Sequence, residues 1–231
     1  MNVGIFGGTF DPPHIGHLIV AQDAALALEL DLIVFVPAAR PPHKRAAEIT
    51  AASLRAEMLR LAVEDDARFD VDTLELERPG ASYTVDTLRE LDARQPDTRW
   101  TLLIGADQYE EFGSWREPDE IRRLARVAVM MRDGSHGAEN DGRESAEMGG
   151  PVPAGRPAGE AARQRGHRPG SRAMGGDGDV ALDVTRIDVS ATTVRNRVAA
   201  GLPIRYLVPR AVEKFIFERK LYIRNGTPVA G

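Results

Sequence analysis

Apolar positions along the chain follow two spacings, one typical of buried strands and one typical of amphipathic helices. Short continuous apolar runs predict strands that are covered on both faces, whereas apolar residues three or four positions apart predict helices with one buried stripe. The predicted strands are residues 3–6, 32–36, 69–76, 100–104, 126–131 and 182–187. The predicted helices are residues 18–30, 53–63, 83–91, 118–124, 190–200 and 209–219. This alternation predicts an α/β fold with a doubly wound, mostly parallel sheet, helices on both faces and helices at the C-terminal end.

One long segment follows neither spacing. Between Asp133 and Asp179 glycine, proline, arginine, serine and alanine dominate, and large apolar residues almost vanish. Such a composition buries too little apolar surface to offset the entropy of ordering the chain. We therefore expect one domain over residues 1–222, interrupted by a disordered insertion over 134–179 and followed by a flexible tail over 223–231. Because residues 156–172 are locally basic, two interpretations of the insertion stay open, a tolerated surface loop and a cover over an anionic ligand.

Composition narrows the classes of function. The 231 residues suit one α/β domain with an insertion. The absence of cysteine from the sequence excludes disulfides, thiolate metal sites and cysteine nucleophiles. A net charge of −5 gives no electrostatic reason to expect nucleic-acid binding. No apolar run reaches the ~20 residues of a membrane span, and no charged segment precedes a long apolar one, so we expect a soluble, cytoplasmic protein without a membrane partner.

The first motif, residues 7–17, reads GGTFDPPHIGH and joins the first strand to the first helix. Gly7 and Gly8 carry no Cβ, so backbone N–H groups there can approach a phosphate closely. The helix that begins near His14 is expected to direct its free amides and positive dipole end at an anion. His14 and His17 fall on one face of that helix and can donate hydrogen bonds to one phosphoryl group. The motif therefore predicts a nucleotide phosphate site.

Other phosphate-binding motifs fit this segment less well. A dinucleotide site needs G-x-G-x-x-G after the strand, and a P-loop needs G-x-x-x-x-G-K-[ST]; neither string occurs here. Gly16 is expected to leave room for a base or a ribose. Asp11, which precedes Pro12, is interpreted as a turn or cap residue rather than a metal ligand.

The second motif, residues 190–195, reads SATTVR and opens a helix near the other end of the chain. Ser190 is predicted to cap this helix. Three hydroxyl groups in the first turn, with Arg195 behind them, suit the β- and γ-phosphates of a nucleotide. Taken alone, the same string also fits an ordinary capped surface helix.

A third set of residues suits a flat, anionic acceptor. Tyr83 and Thr84 open a predicted helix, where a hydroxyl and free amides can bind a carboxylate. Trp115 can stack on an aromatic ring, although it also fits a core or surface aromatic residue. Asp107 follows a buried strand, at the edge where open α/β sheets bind ligands, and suits a ribose hydroxyl.

These motifs carry a resemblance to a known family. His14-Ile15-Gly16-His17 matches the HIGH motif of the nucleotidyltransferase superfamily, and within it the chain resembles the bacterial nicotinate mononucleotide adenylyltransferases. Further matches occur in the family's order and span residues 3–222 apart from the insertion: PPHK at 41–44, PGASYT at 79–84, IGAD at 104–107, SW at 114–115 and SATTVR at 190–195. Two positions depart from the family's pattern: Ala191 stands where many relatives have a serine, and Asp133 where an Arg-Pro-Gly string is usual.

The resemblance implies a Rossmann-like nucleotidyltransferase fold and adenylyl transfer from ATP to nicotinate mononucleotide, which yields deamido-NAD and pyrophosphate in NAD biosynthesis. It implies Mg²⁺ as cofactor, bound mainly through the ATP phosphates, with no protein metal ligands. The residues that it implies for catalysis are His14, His17, Lys44 and Arg195. Those for ATP binding are Gly7, Gly8, Thr9, Phe10, Gly16, Gly105, Asp107, Ser190 and Thr192. Those for acceptor binding are Tyr83, Thr84 and Trp115.

Three other functions fit the sequence less well. A pantetheine-phosphate adenylyltransferase would share the first motif, but Tyr83, Thr84 and Trp115 would then have no purpose. A class I aminoacyl-tRNA synthetase would need a longer chain and a KMSKS string. A non-catalytic nucleotide-binding protein is disfavoured because His14, His17 and Arg195 are all present. The sequence leaves the oligomeric state open, and a homo-oligomer is compatible with it.

Overall fold

The computed structural model describes residues 1–39, 49–131, 169–174 and 178–223. Seven strands in this part of the chain form one sheet, in the order β3-β2-β1-β4-β5-β7-β6. Neighbouring strands are parallel except for the β6–β7 pair, which is antiparallel. The strands are β1 (Asn2–Gly8), β2 (Leu32–Pro37), β3 (Phe69–Val71), β4 (Arg99–Gly105), β5 (Ala125–Met131), β6 (Gly170–Met174) and β7 (Asp179–Asp183).

Helices cover both faces of the sheet. The helices are α1 (Ile15–Ala27), α2 (Ala52–Val63), α3 (Leu74–Glu77), α4 (Thr84–Arg94), α5 (Ala106–Glu110), α6 (Pro118–Leu124), α7 (Ala191–Ala199) and α8 (Arg210–Glu218), with one 3₁₀ turn at Phe112–Ser114. Side chains of α4 and α6 pack against one face of β1, β4 and β5, while side chains of α1 and α2 pack against the other face. A third cluster joins α7 and α8 to α2. The predicted fold class, a doubly wound Rossmann-like sheet, is confirmed.

The strand order creates a crevice between β1 and β4. The chain runs outward from β1 through β2 to β3, then returns to the other side of β1 and continues through β4 and β5. Ligands of open α/β sheets bind outside the carboxyl ends of the strands at such a reversal. The parallel register pairs Phe6 with Leu103, so its continuation brings Gly8 level with Gly105. The first motif and the end of β4 therefore meet at the same point of this edge.

Two predicted strands differ from the structure. The strand expected over 69–76 ends at Val71, because the Asp72 carboxylate accepts a hydrogen bond from the Leu74 N–H group at 2.8 Å and begins the short helix α3. The strand expected over 182–187 lies earlier, at Asp179–Asp183. Helix α5 was not predicted, since five residues are too few for an apolar periodicity to develop.

The end of the predicted insertion is also different. Gly170–Met174, which was placed inside it, forms the edge strand β6. Three consecutive residues of β6 are exposed, namely Ser171, Arg172 and Ala173. Because an exposed strand needs no apolar pattern, the sequence does not indicate this strand. Residues 132–168 and 224–231 lie outside the described part, and the disorder and flexibility expected there stay predictions. Among the described residues no helix is both long and apolar enough to cross a bilayer.

A buried carboxylate fixes the start of β7. Asp179 is 1% exposed and accepts hydrogen bonds from the Tyr109 hydroxyl at 2.9 Å and from Nη2 of Arg122 at 2.8 Å. Burial and the hydrogen bond to Asp179 raise the pKa of Tyr109, so its hydroxyl keeps the proton that it donates. These contacts join α5, which follows β4, and α6 to the start of β7.

Asp179→Asn should lower the free energy of unfolding by about 2 kcal/mol, because Arg122 loses its charged partner and an amide N–H₂ group must face donors. The matched control is Asp188→Asn. Asp188 is exposed and pairs with the exposed Arg186, so this change should cost less than about 0.5 kcal/mol. Urea unfolding of both variants measures the difference, and equal values would mean that the Asp179 contacts contribute no more than a surface pair.

Candidate active site

The two histidines of the first motif lie against each other at the start of α1. His14 is the N-cap residue and His17 lies in the first turn. Their rings stack with centroids 3.7 Å apart, and Nδ1 of His17 accepts a hydrogen bond from the His14 N–H group at 3.1 Å. Because Nδ1 is an acceptor, the neutral ring of His17 carries its proton on Nε2. The second nitrogen of His17 is therefore a hydrogen-bond donor, as a phosphate contact requires.

Most of the first amides of α1 are not available for an anion, contrary to the sequence expectation. The His14 N–H group donates to His17, and the Ile15 N–H group donates to the Leu207 carbonyl at 3.0 Å. The His17 N–H group donates to the His14 carbonyl. The chain around Leu207, which precedes α8, thus occupies the helix end. The imidazole side chains and the Gly16 N–H group, which has no acceptor among the described residues, remain as candidate donors at this helix end.

The three glycines of the first motif differ in their surroundings. Gly7 is exposed, and a Cβ there would meet no atom of the described residues within 4 Å. A Cβ at Gly8 would lie 2.8 Å from the Phe10 ring, and a Cβ at Gly16 would lie 3.0 Å from Nδ1 of His14. The space beside Gly16, expected to admit a base or ribose, is therefore filled by the His14 ring. The contacts of all three glycines with ATP stay predictions.

A buried cation holds the loop between β1 and α1. Arg55, on α2, is 1% exposed. Its guanidinium donates to the backbone carbonyls of Thr9 at 2.6 Å, Ala38 at 2.7 Å and Thr50 at 3.0 Å. Burial lowers the pKa of Arg55, and the nearby Asp11 carboxylate opposes that shift. Arg55 therefore joins the chain after β1 to the chain after β2, beneath the first motif.

The two phosphate motifs meet through Arg195. Its Nη1 donates to the Asp11 carbonyl at 2.7 Å, and its Nη2 donates to Oγ1 of Thr192 at 3.1 Å. The Asp11 side chain is buried and accepts from the Tyr222 hydroxyl at 2.6 Å and from the Thr50 N–H group at 3.1 Å. Asp11 thus holds the loop in place, in agreement with its interpretation as a structural residue. Residues that are 184 positions apart come together at one edge of the sheet.

The N-terminus of α7 has the form that the second motif predicts. Ser190 is the N-cap residue, and its hydroxyl accepts from the Thr193 N–H group at 3.1 Å, so the predicted cap is confirmed. Ser190 and Thr192 are exposed. Among the described residues, the N–H groups of Ala191 and Thr192 have no hydrogen-bond acceptor. These two amides and the exposed hydroxyls can therefore bind an anion at the end of α7.

The end of β4 supplies the opposite wall of the crevice. Gly105 is the N-cap residue of α5, and Asp107 is exposed in its first turn. A Cβ at Gly105 would clash with Oδ1 of Asp107, so glycine leaves room for this carboxylate. Asp107 is thus exposed at the carboxyl edge, where it was expected to meet a ribose hydroxyl.

The predicted acceptor residues lie around the start of α4. Tyr83 is the N-cap residue of α4 and is 40% exposed, and Thr84 is the first residue of the helix. Trp115 is half-buried, with its ring centroid 5.3 Å from that of Phe112. The guanidinium of Arg116 lies 4.9 Å from the Tyr83 ring centroid. The Tyr83–Arg116 contact connects the start of α4 to the chain that carries Trp115.

Sequence reasoning missed two cations at this edge, Arg55 and Arg116. The helical spacing could have indicated that Arg55 is buried, because it lies four and eight positions before Leu59 and Val63, which are buried on the same helix. Leu54 and Leu61 on the same helix are only half-buried. For Arg116, the sequence gives no indication of a place at the site beyond its position after Trp115. Lys44 lies outside the described residues, and its role stays a prediction.

Arg55→Met should lower the free energy of unfolding by about 2–4 kcal/mol, because three backbone carbonyls lose their donor while methionine keeps much of the side-chain volume. Arg60→Met is the matched control on the same helix, since Arg60 is exposed and its loss should cost less than about 0.5 kcal/mol. Urea unfolding compares the two, and a change of similar size in both would show that Arg55 does not hold the loop.

Comparison with known proteins shows which family the chain belongs to. A protein-family model described as cytidylyltransferase-like matches residues 5–197. A protein of Citrifermentans bemidjiense is 40% identical over 228 residues, covering 96% of this chain and 99% of the relative. A protein of Exiguobacterium sibiricum is 38% identical over 222 residues, covering 96% and 99%. Both carry the name "Probable nicotinate-nucleotide adenylyltransferase".

Solved structures agree in fold. The nicotinic acid mononucleotide adenylyltransferase of Plasmodium falciparum, complexed with NaAD, superposes with a TM-score of 0.65 at 15% identity, covering 96% of this chain and 97% of that one. At this identity the superposition supports the fold alone. Because the bacterial relatives match over nearly their whole length at 38% and 40% identity, this chain belongs to the nicotinate-nucleotide adenylyltransferase family of cytidylyltransferase-like proteins.

Proposed function

We propose that this protein transfers the adenylyl group of ATP to nicotinate mononucleotide and releases pyrophosphate, forming deamido-NAD in NAD biosynthesis. The observation that carries this proposal is the hydrogen bond from Arg195 to the Asp11 carbonyl at 2.7 Å. It brings the histidine pair and the N-terminus of α7 to one crevice, where a triphosphate can contact both. The names of the bacterial relatives support the same reaction.

The reaction requires the protein to align two anions, the triphosphate of ATP and the phosphate of the acceptor. A phosphate oxygen of the acceptor forms a bond to the α-phosphorus of ATP, the bond from that phosphorus to the oxygen bridging to the β-phosphate breaks, and pyrophosphate leaves with the electron pair. No covalent enzyme intermediate is needed, so catalysis consists of positioning and charge stabilisation. His14 and His17 stabilise charge on the nonbridging oxygens of the α-phosphoryl group. The amides and hydroxyls at the start of α7 hold the β- and γ-phosphates.

The acceptor binds on the far side of the crevice, near α4. A nicotinate ring is flat and carries a carboxylate. The exposed Tyr83 and the start of α4 suit the carboxylate, and Trp115 offers a ring face for stacking. Asp107 accepts hydrogen bonds from ribose hydroxyls. A pantetheine phosphate would make no use of these aromatic side chains, so they favour nicotinate mononucleotide as the acceptor.

Mg²⁺ fits this site through the nucleotide. Among the described residues no group of three or more His, Asp or Glu side chains is arranged to hold a metal ion, and Mg²⁺ keeps several waters and binds readily to phosphate oxygens. When bound, it neutralises charge on the triphosphate, while the histidines and the start of α7 contact the remaining oxygens. The proposal includes a cytoplasmic location, and it is compatible with a homo-oligomer.

Pyrophosphate release tests the function directly. Purified protein with ATP and Mg²⁺ is given nicotinate mononucleotide, nicotinamide mononucleotide or phosphopantetheine, and we expect the fastest release with nicotinate mononucleotide. The control is His17→Ala, whose turnover should fall by two to three powers of ten with an unchanged circular dichroism spectrum, because one transition-state donor is worth ~3–4 kcal/mol. Preference for phosphopantetheine, or equal turnover in the control, would contradict the proposal.

Trp115→Ala should raise the KM of the acceptor and leave the KM of ATP unchanged. Loss of a stacking face is worth about 1–3 kcal/mol by analogy with base–aromatic contacts. Trp115→Phe is the graded control, since it keeps an aromatic face and should give an intermediate acceptor KM. Steady-state kinetics with each substrate varied in turn measures both constants. Equal weakening of both substrates would mean that Trp115 acts through its packing on Phe112.

A further inference from the structure

Asp11 is the point at which three distant parts of the chain converge on the first motif. Its carbonyl accepts from Arg195 of α7, and its carboxylate accepts from the Thr50 N–H group and from the Tyr222 hydroxyl. Asp11 is 4% exposed. The loop between β1 and His14 has no helix or strand of its own. Its position therefore depends on contacts of this kind.

The chain after α8 turns sharply and places Tyr222 beside Asp11. Lys220 has a φ of +52°, and its N–H group donates to the Phe217 carbonyl at 3.2 Å while that of Leu221 donates to Ile216 at 2.9 Å. These two bonds form a Schellman motif, in which glycine is the usual residue at the left-handed position. Tyr222 itself has a φ of +62°. Two non-glycine residues thus adopt a conformation that side chains disfavour.

The hydroxyl of Tyr222 is a hydrogen-bond donor to Asp11. Burial, together with the Asp11 carboxylate, raises the pKa of Tyr222. The hydroxyl therefore keeps its proton near neutral pH and donates to Oδ1 of Asp11 at 2.6 Å. The ring of Tyr222 packs at the edge of the cluster formed by α2, α7 and α8. Ring packing and hydroxyl contact are separate contributions, so an experiment must distinguish them.

We propose that Tyr222 is a positioning residue for adenylyl transfer, whose hydroxyl acts through the Asp11 carboxylate to fix the loop that carries His14. Asp11 lies three positions before His14, so a shift of its backbone displaces the histidine pair relative to the α-phosphorus. Displacements of about 1 Å can cost up to 10²-fold in rate. The inference rests on the proposed adenylyl transfer.

The first test is kinetic. Tyr222→Phe keeps the ring and removes the hydroxyl, and we expect kcat to fall about tenfold with less than about a threefold change in either KM. The matched control is Tyr206→Phe, because Tyr206 is 82% exposed and also has a positive φ, +69°; its kcat should equal that of the wild type. Unchanged kcat in Tyr222→Phe overturns the proposal. So does a loss that disappears when activity is divided by the folded fraction.

The second test asks whether Tyr222 acts through Asp11. In the Asp11→Ala background, the further change Tyr222→Phe should lower kcat by less than about twofold, because no side-chain acceptor for the hydroxyl remains, whereas asparagine would keep an amide oxygen that accepts. Asp11→Ala followed by Tyr206→Phe is the control for the background. A full tenfold loss on top of Asp11→Ala would show that the two side chains act independently and would overturn the proposed route.

A third measurement does not depend on the reaction. Hydrogen exchange in peptides that cover residues 5–18 should be faster in Tyr222→Phe than in the wild type and unchanged in Tyr206→Phe. Equal exchange in all three proteins overturns the inference even if the protein is an active adenylyltransferase. Conversely, the wild type could lack activity while exchange is faster in Tyr222→Phe. That result would refute the proposed function but would still show that Tyr222 fixes the loop. Failure of the function and failure of the inference about Tyr222 are therefore distinguishable.

Discussion

The candidate active site depends on holding a loop that has no secondary structure of its own. Between the end of β1 and the start of α1, backbone groups of Thr9 and Asp11 are bound by side chains from elsewhere, Arg55 from α2 and Arg195 from α7. Arg55 is buried and charged, which is costly unless every donor is used. Its guanidinium meets three carbonyl oxygens. These contacts set where His14 and His17 lie, and the geometry of the phosphate site follows from them.

The two sides of the site differ in how deeply their side chains are buried. On the phosphate side Asp11 and Arg55 are buried and the His17 ring packs against Phe6 and Phe10, although Ser190 and Thr192 at the start of α7 are exposed. The acceptor side relies on the exposed Tyr83 and the half-buried Trp115. This difference suits a two-substrate reaction, in which the triphosphate must be aligned closely while the acceptor enters and leaves.

Patterns with local periodicity could be predicted from the sequence, and contacts between distant residues could not. The parallel strands and the capped start of α7 at Ser190 follow from apolar spacing and helix-capping chemistry, whereas the crevice between β1 and β4 became evident only from the strand order. Strand β6 escaped prediction because an edge strand with exposed residues needs no apolar pattern. The pairing of Asp11 with Tyr222 spans 211 positions, so no local signal could reveal it. The amides of α1 were expected to be free, and only the fold shows that Leu207 occupies one of them.

A crystal structure of the protein with a nonhydrolysable ATP analogue and Mg²⁺ tests the central claim most directly. The α-phosphoryl group should lie within hydrogen-bond distance of the His14 and His17 rings, with the β- and γ-phosphates at the start of α7 near Ser190 and Thr192. The adenosine should lie in the crevice between β1 and β4. Phosphates bound away from the histidine pair, for example at the opposite edge of the sheet near Arg99 and Arg126, would contradict the account.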